Sequence, residues 1–426
     1  MLEKSSGSPA RVALRYPNFR YYMTARFLSG VSSEMISVAV GWQIYGLTHR
    51  PLDLGLVGLA QFSPGILLFL VAGHTADRHS RQRILTICHT AFSLCALALC
   101  ALTLHGLSSV WPIYAVLLAN GTVRAFNGPT GQAFMPQLVA AEHFPNAVTW
   151  SASFFQVATI LGPMAGGLIY GFAGSPIPVY LCAFVAYLIA VVLVSIIRLV
   201  LPARPRPPAS LRIILEGLHF IWRNKLILGS ISLDLFAVLL GGAVALLPIY
   251  AHEILGTGAY GLGLLRAAPG VGAVGMAITL AHFPLRRRAG LIMLYCVFGF
   301  GLFTTIFGLS RNLALSLIAL VCIGSLDMVS VVVRSTLVQL ATPDDMRGRV
   351  SAVSVLFISA SNEIGQFESG LTAQWFGAVP AVVLGGVGTM AIVLLWAWRF
   401  PTLRQVDQLI PAEPASQALP APTPAE

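Results

Sequence analysis

The stretch Gly73-His74-Thr75-Ala76-Asp77-Arg78-His79-Ser80-Arg81-Gln82-Arg83-Ile84-Leu85 separates two apolar runs, Leu54–Ala72 and Ile84–Leu104. Each run has the length that crosses a bilayer, about 20 residues, so the charged patch reads as a tight turn between two membrane spans. One carboxylate and three guanidiniums crowd into it. Lys and Arg concentrate in short cytoplasmic loops, which places this turn inside the cell. Asp77, at a helix end, can face the positive N-terminus of a neighbouring helix or pair with an arginine when two helix bundles close. Gly73, Asp77, Arg78, Arg81 and Arg83 therefore read as a gating loop, with Asp77 as its candidate latch.

The rest of the chain follows the same pattern. Of 426 residues, 56% are hydrophobic and only 10% charged, with a mean hydropathy of +0.80. A soluble domain does not manage with so few charges, whereas a polytopic membrane protein does. The apolar runs read as twelve spans of about 20 residues or more, at roughly 19–47, 53–76, 83–105, 109–138, 145–172, 177–199, 226–251, 259–283, 289–310, 313–340, 349–376 and 379–400. They run continuously apolar, unlike the alternating strands of about ten residues that build a membrane barrel. The fold class is all-α integral membrane.

The net charge of +10 raises the question of nucleic acid, and its distribution answers it. Arg11, Arg15 and Arg20 precede span one, and Arg198, Arg204, Arg206, Arg212, Arg223 and Lys225 lie between spans six and seven. Arg286, Arg287 and Arg288 follow span eight, Arg347 and Arg349 follow span ten, and Arg399 and Arg404 follow the last. An even span count puts all of these on one side, with little beyond Arg50 and Arg311 on the other. The basic excess is therefore topology, with both termini cytoplasmic, plus some attraction to anionic lipid. No nucleic-acid partner is expected. The six cysteines (Cys88, Cys95, Cys100, Cys182, Cys296, Cys322) all fall inside spans, as small apolar fillers rather than a disulfide framework or metal cluster. The first span is too long for a cleaved signal and should be retained.

The turn Gly73–Leu85 resembles the G-x-x-x-D-R-x-x-R-[KR] signature that follows the second span in the major facilitator superfamily of secondary transporters. His79 and Ser80 stand where that family more often has a small residue and Gly. The resemblance implies twelve transmembrane helices in two pseudo-symmetric six-helix halves, in a bacterial cytoplasmic membrane. Internal echoes agree with two halves. Gly58 to Gly65 ends in Pro64-Gly65 as Gly263 to Gly270 ends in Pro269-Gly270, Gln137-Leu138 is echoed by Gln339-Leu340, and Gly167-Leu168 by Gly370-Leu371. The expected organisation is a cytoplasmic N-terminus over 1–17, an N-terminal half over 18–199, a basic Pro-rich linker over 200–225, a C-terminal half over 226–400 and a largely disordered tail over 401–426. Segment 210–222 has apolar residues at helical spacing and is expected to lie on the inner membrane surface. Asp77 falls opposite His282, so any Asp latch is one-sided.

Charges inside the membrane mark the expected working parts, since each costs about 2.5–3.5 kcal/mol at the bilayer centre. Glu34, Arg124, Asp327 and Glu363 lie near mid-span; Asp234, Arg266, Arg334 and Glu368 are less central. Arg124 and Asp327 occupy nearly equivalent places in spans four and ten, open to use as an ion pair between the halves or separately in each. Glu34 and Glu363 are the carboxylates expected to carry a proton, because a carboxyl group can change charge as its surroundings change. Asp234 reads as the partner of a neighbouring helix. The string Asn120 to Pro129 around Arg124 is similar to the arginine-bearing fourth-span motif of the superfamily, which the resemblance links to proton transfer.

In span five, Gly162, Pro163, Gly166 and Gly167 let helices pack closely. Their Gly-Pro-x-x-Gly-Gly order also resembles the core of a motif found in exporting antiporters, although Thr149 and Ala158 replace its upstream glycines. Arg124 to Pro129, Pro136-Gln137-Leu138-Val139 with Asn146-Ala147-Val148, and Arg347-Gly348-Arg349-Val350 look like the branch that holds siderophore exporters of the enterobactin kind and their multidrug-efflux relatives. The resemblance implies proton-coupled efflux of an amphipathic organic cargo by one chain acting as a monomer. A facilitator, a proton-coupled importer and a lipid flippase share the scaffold. There is no glycine loop with its Lys for a nucleotide, no His-Glu-x-x-His spacing and no nucleophile with a base, so no cofactor, metal or enzymatic activity is expected.

Overall fold

A computed structural model describes residues 11–107, 109–198, 211–283, 285, 287–343 and 346–407. Twelve long helices run in order: α1 Pro17–Thr48, α2 Pro51–Arg78, α3 Arg81–Leu104, α4 Trp111–Phe134, α5 Phe144–Ala173, α6 Ile177–Ser195, α7 Lys225–Leu240, α8 Gly258–His282, α9 Ala289–Leu309, α10 Leu313–Ala341, α11 Arg347–Phe376 and α12 Ala378–Arg399. A linker helix, Leu211–Arg223, precedes α7. The described residues contain no strand.

The starts and stops are written in the sequence. Proline opens α1, α2, α4 and α5 within their first two positions, where its missing N–H costs nothing. The Asn224 side chain accepts from the backbone N–H groups of Leu226 and Ile227 at the head of α7, and Asn312 does the same for Ala314 and Leu315 at the head of α10. Gly174 ends α5 in the left-handed region.

Nine of the helices are long and apolar enough to cross a membrane by length and composition. The three that fall short are α1, α4 and α11, which carry Glu34, Arg124 and Glu363 respectively. All three carry a charge near mid-span, whereas α10 keeps its apolar character despite Asp327.

Span seven departs from the unbroken run expected over 226–251. Helix α7 stops at Leu240, and Gly241-Gly242 leads into a tight 3₁₀ turn (Ala243–Leu246), one α turn (Leu247–Ile249) and a π turn (Tyr250–Ile254). The cause is close approach. A Cβ at Gly242 would lie 2.8 Å from the Gly365 carbonyl oxygen of α11. Irregular backbone at membrane depth is tolerated where it lines a cavity, and Val244, Ala245 and Pro248 do so.

Within the first six helices α1 packs on α5 and α6, α3 on α4 and α6, and α2 on α4; within the last six α8 packs on α10, α9 on α10 and α12, and α11 on α7 and α12. Two seams join the halves, α5 on α8 and α2 on α11. They are pseudo-symmetric. A Cβ at Gly167 would lie 2.7 Å from Gly263 Cα, and one at Gly370 would lie 2.9 Å from Gly55 Cα, so backbone meets backbone in both.

The seams close at the end away from the α2–α3 turn. There one buried core is continuous across the halves, joining Ile44, Tyr45 and Leu54 to Leu246, Tyr250 and Leu262. Toward the α2–α3 turn the core divides. Phe19, Tyr22, Leu85 and Phe134 form one cluster in the N-terminal half; Leu233, Met293 and Val333 form another in the C-terminal half, beside a third around Ile221, Ile227 and Val350. The molecule is therefore a cleft, shut at the far end and divided at the end that carries Gly73–Leu85.

Residues 199–210 and 408–426 lie outside the described set, so the linker and tail boundaries are described only in part. Segment 401–407 is ordered: the Gly290 N–H donates to the Val406 carbonyl at 3.2 Å, and the Arg288 N–H to Asp407 Oδ1 at 3.0 Å.

Candidate functional site

At the apex of the cleft lies a cavity of about 240 Å³. Four charged side chains from four helices line it: Glu34 of α1, Arg124 of α4, Arg266 of α8 and Glu363 of α11. Two come from each half, two are acids and two are bases, so the cavity is formally neutral when all are ionised. Arg266 and Arg124 act electrostatically on Glu34, and both act on Glu363. Pairing of this kind offsets the cost of charge inside the membrane.

Polar neighbours hold the four in place. Arg124 Nη1 donates to Gln61 Oε1 at 3.0 Å, and Gln366 Nε2 donates to Glu363 Oε2 at 3.2 Å. Arg266 Nη1 reaches across the seam to Ser37 Oγ of α1. Its Nε is buried and has no hydrogen-bond partner among the described residues. Glu363 also crosses the seam, lying 3.0 Å from where a Cβ would stand at Gly58 of α2. The charges thus join the halves to each other.

The glycines of α5 set the depth of this site. A Cβ at Gly162 would lie 2.9 Å from the Val31 carbonyl oxygen and one at Gly166 would lie 2.9 Å from Met35 Cα, so α5 seats directly on the turn of α1 that carries Glu34. Pro163 lines the cavity, and Gly167 meets α8. One short string therefore positions both α1 and α8.

The remaining charges lie elsewhere. Asp327 is not in the central cavity and makes no pair with Arg124. It shares a small cleft inside the C-terminal half with Asp234, Val297, Phe300 and Ser330. Asp234 forms a buried ion pair with Arg334, joining α7 to α10. Glu368 accepts from Thr372 Oγ1 at 2.7 Å on its own helix. The α2–α3 connection is only two residues long, and at the head of α3 Arg81 donates to the Ala133 carbonyl at 2.9 Å while the Gln82 amide donates to the carbonyls of Val194, Ser195 and Ile197. Gly73 is half-buried, while Arg78 and Arg83 are exposed. Asp77 sits in the last turn of α2, with its side chain outside the described set.

The whole chain can now be placed by comparison. Residues 8–423 match the family described as transmembrane secretion effector, one of the major facilitator families. This chain belongs to the major facilitator superfamily. The enterobactin exporter EntS of Escherichia coli O1:K1 is 27% identical over 407 residues, covering 95% of this chain and 96% of that protein. A point mutant of the nucleoside transporter NupG superposes with a TM-score of 0.71 at 13% identity, covering 90% of this chain and 100% of that one. A bacterial homolog of the human lysosomal transporter Spinster, inward-facing and unoccupied, gives 0.69 at 13% identity, covering 93% and 97%. These structural likenesses establish a shared transporter fold.

Within that fold, sequence reasoning missed the central place of Arg266 and the supporting roles of Gln61, Gln366 and Ser37. A signal was present for Arg266: it stands inside the Gly263–Gly270 echo, whose first glycine forms a seam contact. The amides and serine carry no such mark.

Proposed function

We propose that this chain is a secondary transporter that expels an amphipathic organic molecule, siderophore-like or drug-like, across the bacterial cytoplasmic membrane in exchange for protons. The observation that carries this reading is the convergence of Glu34, Glu363, Arg124 and Arg266 from both halves on one cavity. The matched family, whose description names secretion, and the enterobactin exporters that align end to end with this chain support the outward direction.

The mechanism follows from charges that bridge a seam. In the described state the cleft opens toward the α2–α3 turn, which the positive-inside rule places in the cytoplasm together with both termini. Cargo enters while Glu34 and Glu363 are ionised, and a rocking motion about the cavity exposes it to the far side. There a proton taken up by Glu34 or Glu363 removes a counter-charge from Arg266 and Arg124, loosens the ties that hold the cargo-bearing state, and is released to the cytoplasm when the halves rock back. Inward movement of one proton releases about 2.3 kcal/mol per 100 mV, which drives the return. The cavity lies below the roughly 300–1,000 Å³ that holds a drug-sized ligand, so cargo extends from it into the open cleft.

The test is secretion in a strain lacking the protein, paired with inverted vesicles in which the proton gradient is collapsed. Loss of siderophore or drug export that wild type restores and Glu34→Gln does not is the expected result. Export unaffected by collapse of the gradient would refute proton exchange.

A further inference from the structure

The linker helix spends only part of its apolar surface on the protein. Gly217 and Ile221 face inward: a Cβ at Gly217 would lie 2.8 Å from the Arg349 carbonyl oxygen, and Ile221 is 2% exposed against Ile227, Val338, Val350 and Val353. Leu215 and Trp222, seven residues apart and so on one side of the helix, are 61% and 65% exposed. His219 and Arg223, exposed as well, follow around the same helix, and exposed Lys225 opens α7 directly after it. An apolar flank bordered by basic residues, at the point where the chain enters a span, is the pattern of a helix seated in a membrane interface.

A groove of about 890 Å³ runs along this helix and the head of α11, with Leu218, Phe220, Trp222 and Met346 as apolar lining and Arg223 and Arg349 as basic lining. Arg349 pairs with Glu216 at 2.9 Å while both remain about a third exposed, so a stronger acceptor can reach it. Arg223 is exposed and has no ion-pair partner among the described residues. We propose that the linker helix and the head of α11 form a binding site for an anionic phospholipid, with an acyl chain in the groove and the phosphate held between Arg223 and Arg349. Charge complementarity selects this occupant: the leaflet supplies phosphate and acyl chain together, and the groove offers a matched pair of surfaces. Lipid occupancy would tie the linker to the moving head of α11.

The test uses the full chain in vesicles of phosphatidylcholine with or without phosphatidylglycerol, one lipid at a time carrying brominated acyl chains. The chain has seven tryptophans, so the difference between wild type and Trp222→Phe isolates Trp222. Brominated phosphatidylglycerol should quench Trp222 about fivefold more effectively than brominated phosphatidylcholine, the value of one basic side chain at an anionic surface. That preference should fall in high salt, vanish in Arg223→Gln and survive in Arg223→Lys. Equal quenching by the two lipids would overturn the proposal, as would a preference that Arg223→Gln leaves intact. Shielding of Trp222 from both lipids by a second copy or another protein would overturn it too.

Discussion

Two groups of charges lie within the membrane span of this protein, and they are built differently. The central group of Glu34, Arg124, Arg266 and Glu363 draws two residues from each half and lines a cavity at the seam. The second group, the Asp234–Arg334 pair with Asp327 nearby, lies wholly inside the C-terminal half, between α7 and α10. Both groups repay the cost of ionised side chains in a bilayer. Only the first has partners drawn from both halves. Under the proposed mechanism, position relative to the seam, rather than charge itself, should distinguish a working residue from a structural pin.

The largest effect tests the pin. Arg334→Ala leaves Asp234 buried without its partner, and removing one member of such a pair costs about 3–5 kcal/mol. Thermal unfolding in detergent should show a markedly less stable protein, and replacing both residues with apolar ones of similar volume should recover much of the loss. Wild-type stability in Arg334→Ala would erase the distinction between the groups.

The central group should respond in the opposite sense. Glu34→Gln, Glu363→Gln and Arg266→Gln each remove one partner of a seam-crossing set, worth about 2–5 kcal/mol in comparable charged pairs. Transport should fall on the order of 100-fold or more while the protein unfolds near its wild-type temperature. A variant that loses stability in step with activity would move the central group into the structural class.

A smaller effect lies in the seam. Gly263→Leu places a side chain where the backbone of Gly167 now sits, and overpacking of this kind costs about 1–3 kcal/mol. The closed far end should open, detectable as a longer distance between spin labels on α5 and α8. An unchanged distance would mean that the halves are not pressed together there.

The smallest expected effect is that of Asp327→Asn. Because Asp327 lies off the cavity, transport should stay within about threefold of wild type, the scale of substitutions away from such features. A 100-fold loss would return Asp327 to the central group.

Much of this fold could be read from the chain. The turn at Asp77-Arg78, the one-sided arginines and the Pro-Gly echoes each report a local or repeating constraint, and all agree with the observed helices. Glu34, Arg124 and Glu363 could also be picked out, because an isolated charge in an apolar run stands out against its neighbours. Asp327 stands nearer mid-span in the sequence than Arg266, yet Arg266 lines the central cavity and Asp327 does not, for a physical reason. Depth along a span is legible in sequence, but the direction a helix face points is set by its neighbours, here by Gly162, Gly166 and Gly263. The break in span seven was hidden likewise, since Gly241-Gly242 breaks the helix only because α9 and α11 crowd it.

The central claim is that the carboxylates at the seam couple protonation to the rocking of the halves. The most direct measurement is the distance between spin labels at the head of α2 and the tail of α11, recorded against pH in lipid discs for wild type and for the Glu34→Gln, Glu363→Gln double variant. The account predicts that acidification redistributes the wild type between near and far distances and that the double variant shows one distribution at every pH. The same pH response in both proteins would contradict it.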